Sequence, residues 1–410
     1  MRATLIHYIL LVLIAVSSAL ASESAPKQRE LKAYPLPDGM ISADISPDER
    51  LVAALVSRSG PAGNPANIKI TDSIQLWDFR ESKLIADKIV REQTRGKKEI
   101  RNQSAFTRYS ADGKLVICYL DHDLYIFQAS DLQEIKRIHM KGPPDETQNI
   151  ATKSGQLTIA ERGEVTALEI SPSVESVAVV WARGLSQSWI ELIQLDSAKE
   201  VVWNTKDRGV GWMSPTSIAW SSDGHMLIVA VPNGSRCGEP GHEPDVFAVE
   251  PETGAIRYKF RTGLLLGTIA VTPDARVLAV DNGCIGVFRN HDPKLKIFDL
   301  YTGRLVGLIA GRSGGVRHEV SVSRTGDRAV ADTGIVKAKF DWLDMVPFGV
   351  QVDSTFSVWS LKDRDYDGVV TSQNLMPSHG HGWQRRAPGP LRISPNGGFV
   401  IKGANIYELP

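Results

Sequence analysis

The chain lacks several things that would narrow its chemistry. It has 3 cysteines in 410 residues, too few to staple a small disulfide scaffold. Neither sign of charge is in excess: 47 basic side chains stand against 47 acidic ones. No whole-molecule field therefore favours nucleic acid or an anionic membrane. The apolar run from Leu5 to Val16, interrupted by His7 and Tyr8, falls short of the roughly 20 residues that span a bilayer. No glycine-rich phosphate loop followed by Lys-Ser/Thr occurs. The string Gly311-Arg312-Ser313-Gly314-Gly315 matches a nucleophile elbow, but no helix follows to build the strained turn, so it reads as a flexible connector.

What is present begins with a targeting pattern. Met1-Arg2 is a short positive start, the apolar run follows, and Ala19-x-Ala21 is a small-residue pattern that a signal peptidase accepts. Residues 1–21 are expected to be a cleaved signal peptide and 22–30 a solvated linker. The mature chain is then exported, periplasmic or secreted, and does not span a membrane.

From residue 31 to 410 one unit recurs. Its clearest copy runs from Ile41 to Val90: an apolar strand ending at Ser46-Pro47-Asp48, then Leu51 to Val56, Ile74 to Phe79 and Leu84 to Val90. The turn comes back as Ser110-Ala111-Asp112-Gly113, Ser171-Pro172-Ser173, Ser221-Ser222-Asp223-Gly224, Thr272-Pro273-Asp274, Ser323-Arg324-Thr325-Gly326 and Ser394-Pro395-Asn396-Gly397. Proline pre-sets φ, and Asp, Asn and Gly tolerate tight-turn geometry, so a strand reverses at each site. An apolar strand follows every turn, and the next carries an aromatic or aliphatic residue beside a polar one, as in Trp77-Asp78, Phe127-Gln128, Phe298-Asp299 and Trp359-Ser360. Short strands at a regular period with turn chemistry between them predict an all-β, seven-bladed propeller.

With its Trp77-Asp78 pair closing a third strand, the repeat resembles the WD-repeat and YVTN-type β-propellers. That resemblance implies the propeller fold and, since such propellers host scaffolds and enzymes alike, no single activity. Six units contain a fourth strand; the seventh stops at Asn405 to Pro410 after three. Leu31 to Leu36, ahead of the first repeat, is the spare strand expected to pair outside the last one and close the ring.

Two residues before each turn Ser or Thr stand Asp44, Arg108, Glu169, Ala219, Ala270, Ser321 and Arg392. From blade seven through blade three the charges alternate, which predicts ion pairs between neighbouring blades or, alternatively, a charged channel for a ligand.

Loops joining second to third strands, and blade to blade, share one face of a propeller, and here they are long. They carry Trp212, Arg236, His242, Arg289, His291, Trp342, His379, His381, Trp383, Arg385 and Arg386, with Arg317 and His318 nearby. Aromatics and arginines are enriched at binding hot spots, which makes these the candidate partner-binding residues. The histidines among them form a weaker candidate for a metal site. Asp363-x-Asp365-x-Asp367-Gly368-Val369-x-Thr371-x-x-Asn374 resembles an EF-hand-type calcium loop, with Asn374 where a bidentate Glu is expected; the other reading is a solvated acidic turn. Cys237 and Cys284 occupy equivalent loops of blades four and five and are expected to pair as a disulfide, whereas Cys118 lies in an apolar strand. The expected function is a binding or scaffolding module for a protein or a cell-envelope component, using the long-loop face. The alternative is a propeller enzyme (hydrolase, lyase, lactonase or quinoprotein-like oxidoreductase) with a pocket at the channel mouth. No cofactor is implied beyond calcium, and no nucleic acid partner.

Overall fold

The computed structural model describes residues 31–410 apart from 64–66, 97–103, 141, 143–145, 153–154, 162, 184–186, 198, 211–214, 216, 233–241, 265, 282–293, 311–319, 333–334, 341–346, 354, 363–364 and 372–390. The expected targeting segment and linker, residues 1–30, lie outside the described residues. The regular elements among the described residues are all strands, and seven antiparallel four-stranded sheets form the blades. Their innermost strands are Met40–Ile45, Ala105–Tyr109, Glu164–Ile170, Ser217–Trp220, Leu266–Val271, Val320–Val322 and Leu391–Ile393, for blades 1 to 7 in turn.

The recurring turn explains why the strands reverse where they do. In all seven copies the amide of the fourth residue donates to the carbonyl of the turn Ser or Thr, at 2.9–3.1 Å. The hydroxyl of that first residue accepts the amide that opens the next strand, as in Leu51 N to Ser46 Oγ and Phe399 N to Ser394 Oγ, each 2.9 Å. In four copies it also donates to the Asp two residues on, for example Ser46 to Asp48 at 2.6 Å. One side chain thereby takes the place of a missing ladder bond. The fourth residue is left-handed every time, whether glycine or not: Glu49, Val174 and Ala275 have φ of 57°, 62° and 57°.

That last fact separates two substitutions at the same turn position. Val174 carries a β-branched side chain where the left-handed region costs roughly 1–2 kcal/mol. Val174→Gly is expected to raise stability by about 1 kcal/mol after the glycine's own entropy cost. Glu49→Gly is expected to lower it by about 1–2 kcal/mol. The Glu49 carboxylate crosses to the blade 7 turn, accepting from Ser394 Oγ (2.5 Å), Asn396 N (3.0 Å) and Gly398 N (3.3 Å). Urea midpoints moving in the same direction for both variants would contradict this account.

The core is divided into layers, one between each pair of neighbouring blades. The cluster around Leu55, Ile74, Val116 and Phe127 fills the space between blades 1 and 2, and six equivalent clusters fill the others. A blade is therefore covered on both faces. This is why its second strand is a continuous apolar run, as in Leu227–Ala230, all four residues buried, rather than an alternation. The expected closure is present: Ala33, Tyr34 and Pro35 pair antiparallel with Tyr407, Ile406 and Asn405.

The structure differs from the sequence reading on the long connections. Arg58 to Asp72, expected as a loop, is the upper part of a hairpin in register from Ser57↔Asp72 to Pro61↔Ile68. The outer strand follows it as far as Gly96, opposite Asn67. The β-branched alternation Ile68-Lys69-Ile70-Thr71 favours a strand. Two-stranded hairpins also occupy the blade 2–3 connection (Glu146–Thr152 with Gly155–Glu161) and the middle of blade 6 (Ile335–Phe340 with Pro347–Asp353).

Candidate functional site

The innermost strands surround a central cavity of about 460 Å³ that reaches the face carrying the tight turns. Its rim takes the second residue of every turn: Pro47, Ala111, Pro172, Ser222, Pro273, Arg324 and Pro395. Four of these are prolines, so the rim is stiff. Its one charged member, Arg324 of blade 6, donates across the opening to the carbonyl of Ala111 in blade 2.

Deeper in the channel the charges are confined to one sector. Arg392, Asp44, Arg108 and Glu169 project from blades 7, 1, 2 and 3, while Ala219, Ala270 and Ser321 hold the same positions in blades 4, 5 and 6. The neighbour-to-neighbour pairing expected from the alternation is only partly what forms. Arg108 does reach Glu169 on the next blade, 3.4 Å away. Arg392, however, passes over adjacent Asp44 and donates to Glu169 Oε1 at 3.0 Å, across the channel axis. Asp44 turns to backbone amides instead. Its Oδ2 accepts Tyr109 N at 2.8 Å and its Oδ1 accepts Ile45 N at 3.1 Å.

Asp44 belongs to a set of interblade latches in which a side-chain oxygen on one inner strand accepts a backbone amide from the next. Ser42 holds Thr107 N (2.9 Å), Ser217 holds Ile269 N (3.4 Å), Thr268 holds Val320 N (2.8 Å) and Ser321 holds Ile393 N (3.3 Å). Sequence reasoning missed these. The available signal was a hydroxyl four residues before the turn Ser or Thr in blades 1, 4 and 5.

Both channel acids take up protons more readily than exposed ones. Burial pushes Glu169 upward, Arg108 pulls it back, and Asp44 adds to the upward push. Burial likewise raises Asp44 against Arg108 and the amides of Tyr109 and Ile45. An acid whose folded pKa exceeds its unfolded value is protonated in the folded state over a window where the unfolded chain has already lost its proton. Its contribution to stability is complete below the ordinary 4.5 of a glutamate and declines as pH rises through the raised value. Glu169→Gln should therefore flatten the fall in thermal midpoint above that pH. Identical slopes for wild type and variant would show that Glu169 does not titrate this way.

The residues expected on the long-loop face are placed only in part. His242 is exposed, just ahead of the third strand of blade 4, Val246–Val249. Trp212, Arg236, Arg289, His291, Arg317, His318, Trp342, His379, His381, Trp383, Arg385 and Arg386 lie outside the described residues, as do Cys237 and Cys284. Among the described residues no three His, Cys, Asp or Glu side chains gather as metal ligands. Residues 365–371 of the acidic motif, which include Asp365, Asp367, Val369 and Thr371, form the outer strand of blade 6. That strand pairs with Thr355–Ser360, an extended backbone in place of the curled loop of an EF-hand; Asp363 and Asn374 lie outside the described residues. Cys118 is fully buried, and burial pushes its thiol up to about 12, which makes it unreactive.

No protein-family model matches the chain, and no curated protein does. Among solved structures, the β-propeller domain of Cps50 (Swd1) from Myceliophteria thermophila is 11% identical over 93% of this chain and 99% of that one, with a TM-score of 0.52. A chain of the mitotic checkpoint complex is 12% identical over 95% of both chains (TM-score 0.49), and Kuenenia stuttgartiensis hydrazine synthase is 13% identical over 73% and 72% (TM-score 0.48). At these identities a likeness speaks to architecture alone, and the architecture is that of a seven-bladed β-propeller.

Proposed function

We propose that the protein is an exported propeller, of WD-repeat or YVTN type, that binds another protein or a cell-envelope component through the face bearing the long connections. The observation that carries this is the extension of blade 1. Three of its strands, Leu51–Pro61, Asn67–Asp78 and Lys83–Gly96, are each about twice as long as an ordinary strand, and ring closure requires none of the added length. The extension is also braced. Arg91 donates from Nε to Asp72 (2.8 Å) and from Nη1 to Asp121 of blade 2 (2.5 Å), and Arg95 approaches the same Asp121 at 3.5 Å. A rigid surface raised above a scaffold and tied to its neighbour is suited to recognition, because little ordering cost remains when a partner docks. The hairpins at Glu146–Glu161 and Ile335–Asp353 leave the ring on the same face, by the alternation of strand direction.

A photo-crosslinking residue at exposed Arg58 or Lys69 in the extension, compared with one at exposed Asp112 on the turn face, tests this in the exporting cell. Adducts of one defined mass from 58 and 69, absent from 112, are expected, with the protein recovered from the exported fraction. Adducts from 112 alone, or recovery only from the cytoplasm, would overturn the reading.

A further inference from the structure

We propose that the central channel is a binding site for a small carboxylate with an apolar body, its head held by Arg392 and Arg108 and its body against the aliphatic wall of blades 4 to 6. This site opens on the turn face, away from the surface proposed above, and does not depend on that proposal.

Unused hydrogen-bonding capacity is the first support. A guanidinium carries five N–H donors. Arg392 lines the cavity with 28% of its side chain exposed, and among the described residues its one hydrogen bond is to Glu169. Arg108 is 93% buried; it donates to Thr107 O (2.9 Å) and to Glu169, and its Nε is buried without a partner. Both forks thus converge on a single carboxylate oxygen, Glu169 Oε1, and the more exposed fork of Arg392 keeps donors open to the cavity. Planar, two-pronged recognition of a carboxylate is what such donors do best. Asp44 accepts two backbone amides, Tyr109 N and Ile45 N, and among the described residues makes no hydrogen bond to either guanidinium.

Charge and shape supply the rest. The five charged side chains of the cavity are Arg108, Arg324, Arg392, Asp44 and Glu169; three positive against two negative leaves one positive charge, which a monoanion neutralises. The opposite wall presents Ala219, Ala270 and Ser321, with the core residues Ile218, Ile269 and Val320 beside them; it carries no charge and favours hydrocarbon over a second charged group. A cavity of about 460 Å³ falls within the ~300–1,000 Å³ usual for small-molecule sites. Nor does ring closure demand the charges, because blades 4 to 6 pack with Ala219, Ala270 and Ser321 at the same positions. The Arg324 bridge to Ala111 is one hydrogen bond across the mouth, which an entering ligand can displace and whose guanidinium adds a further donor.

Isothermal titration of the full mature chain with octanoate, acetate, inorganic phosphate and octylammonium tests the assignment. Octanoate is expected to bind one per chain, acetate and phosphate at least about tenfold more weakly, and octylammonium not at all. Arg392→Gln should weaken octanoate by about 10- to 100-fold, the loss of a charged hydrogen-bonding partner. Ala219→Phe fills the apolar half while leaving every arginine in place, and should abolish binding; it decides the matter even if Arg392→Gln fails to fold. No heat from octanoate at millimolar concentration would overturn the proposal, and so would octanoate affinity unchanged in either folded variant. Phosphate binding as tightly as octanoate would also overturn it, by showing a plain anion site.

Discussion

Deleting residues 31–36 is expected to abolish cooperative folding of the monomer, with the chain recovered aggregated or protease-sensitive. This short segment does two jobs at the one place where the ring is not covalently continuous. Its strand Ala33–Pro35 covers the outer edge of Asn405–Glu408, which would otherwise present unpaired amides and carbonyls to other chains. Its Tyr34, only 7% exposed, enters the layer between blades 7 and 1. There its ring lies 5.5 Å from Phe79 and 6.4 Å from Phe399, which are themselves 5.1 Å apart. Leu36 is buried in the same layer. Removing one large aromatic from such a core costs roughly 3–5 kcal/mol. Tyr34→Ala alone should therefore consume much of the ~5–15 kcal/mol stability typical of a domain. Tyr34→Phe keeps the ring and loses the hydroxyl's 2.8 Å bond to Glu408 and its interaction with Lys32. It should cost about 1 kcal/mol. Urea denaturation of the two point variants gives this ordering directly. A deletion protein that unfolds at the wild-type midpoint would show that the ring closes by other contacts.

The closure was legible because it depends on counting: six units with four strands, one with three, and a spare strand at the start. The turns were legible because their chemistry is local. A Ser or Thr, followed by Pro, Asp or Gly, makes its hydrogen bonds within five residues, as Ser46 does with Asp48 and Leu51. What is not local was not legible. Nothing near Arg392 in sequence says that it meets Glu169, 223 positions away; that contact depends on how far apart the closed ring holds the two strands. Blade 1 shows the other kind of difference. Arg58 to Asp72 contains Gly60, Pro61, Gly63 and Pro65, which argue for a loop. Yet Ile68 and Ile70 continue the alternation, and pairing with the long outer strand outweighs the breakers at the tip.

The two ends of the channel consequently differ in kind. The turn face is made of seven near-identical reversals that bring charge to one side of a small cavity. The opposite face carries, among the described residues, the blade 1 extension and the hairpins at 146–161 and 335–353, and Arg91 ties the extension to blade 2. In a closed ring of equivalent sheets, the departures from equivalence are the features that packing alone does not require. Both breaks fall partly in the same sector: blades 1 to 3 carry three of the four channel charges, the extended strands and the hairpin at 146–161.

Trp181→Ala is the second substitution expected to have a large effect, about 3–5 kcal/mol. Trp181 is fully buried near the end of the second strand of blade 3, Ser176–Arg183. Its indole meets Tyr119 edge-on at 6.2 Å and lies 5.1 Å from the His122 ring, both contributed by blade 2. Its Nε1 donates to Glu191 Oε2 at 2.6 Å, and Glu191 is itself fully buried. Truncation therefore opens a cavity between two blades and also removes a donor from a buried acid, and the two costs add in the same direction. Trp181→Phe separates them, keeping most of the apolar volume while losing the Glu191 bond, and should fall between wild type and Trp181→Ala. The consequence extends to the face that bears the long connections. Gly142, where the chain leaves blade 2 for the hairpin at 146–161, has φ of 63°, and a Cβ there would lie 3.2 Å from the indole, so the ring forms the floor on which that connection starts. Hydrogen exchange should accordingly show faster opening at 146–161 in Trp181→Ala while the far blades 5 and 6 keep their protection. Uniform loss of protection around the ring would mean that Trp181 supports global stability alone, with no particular hold on the hairpin.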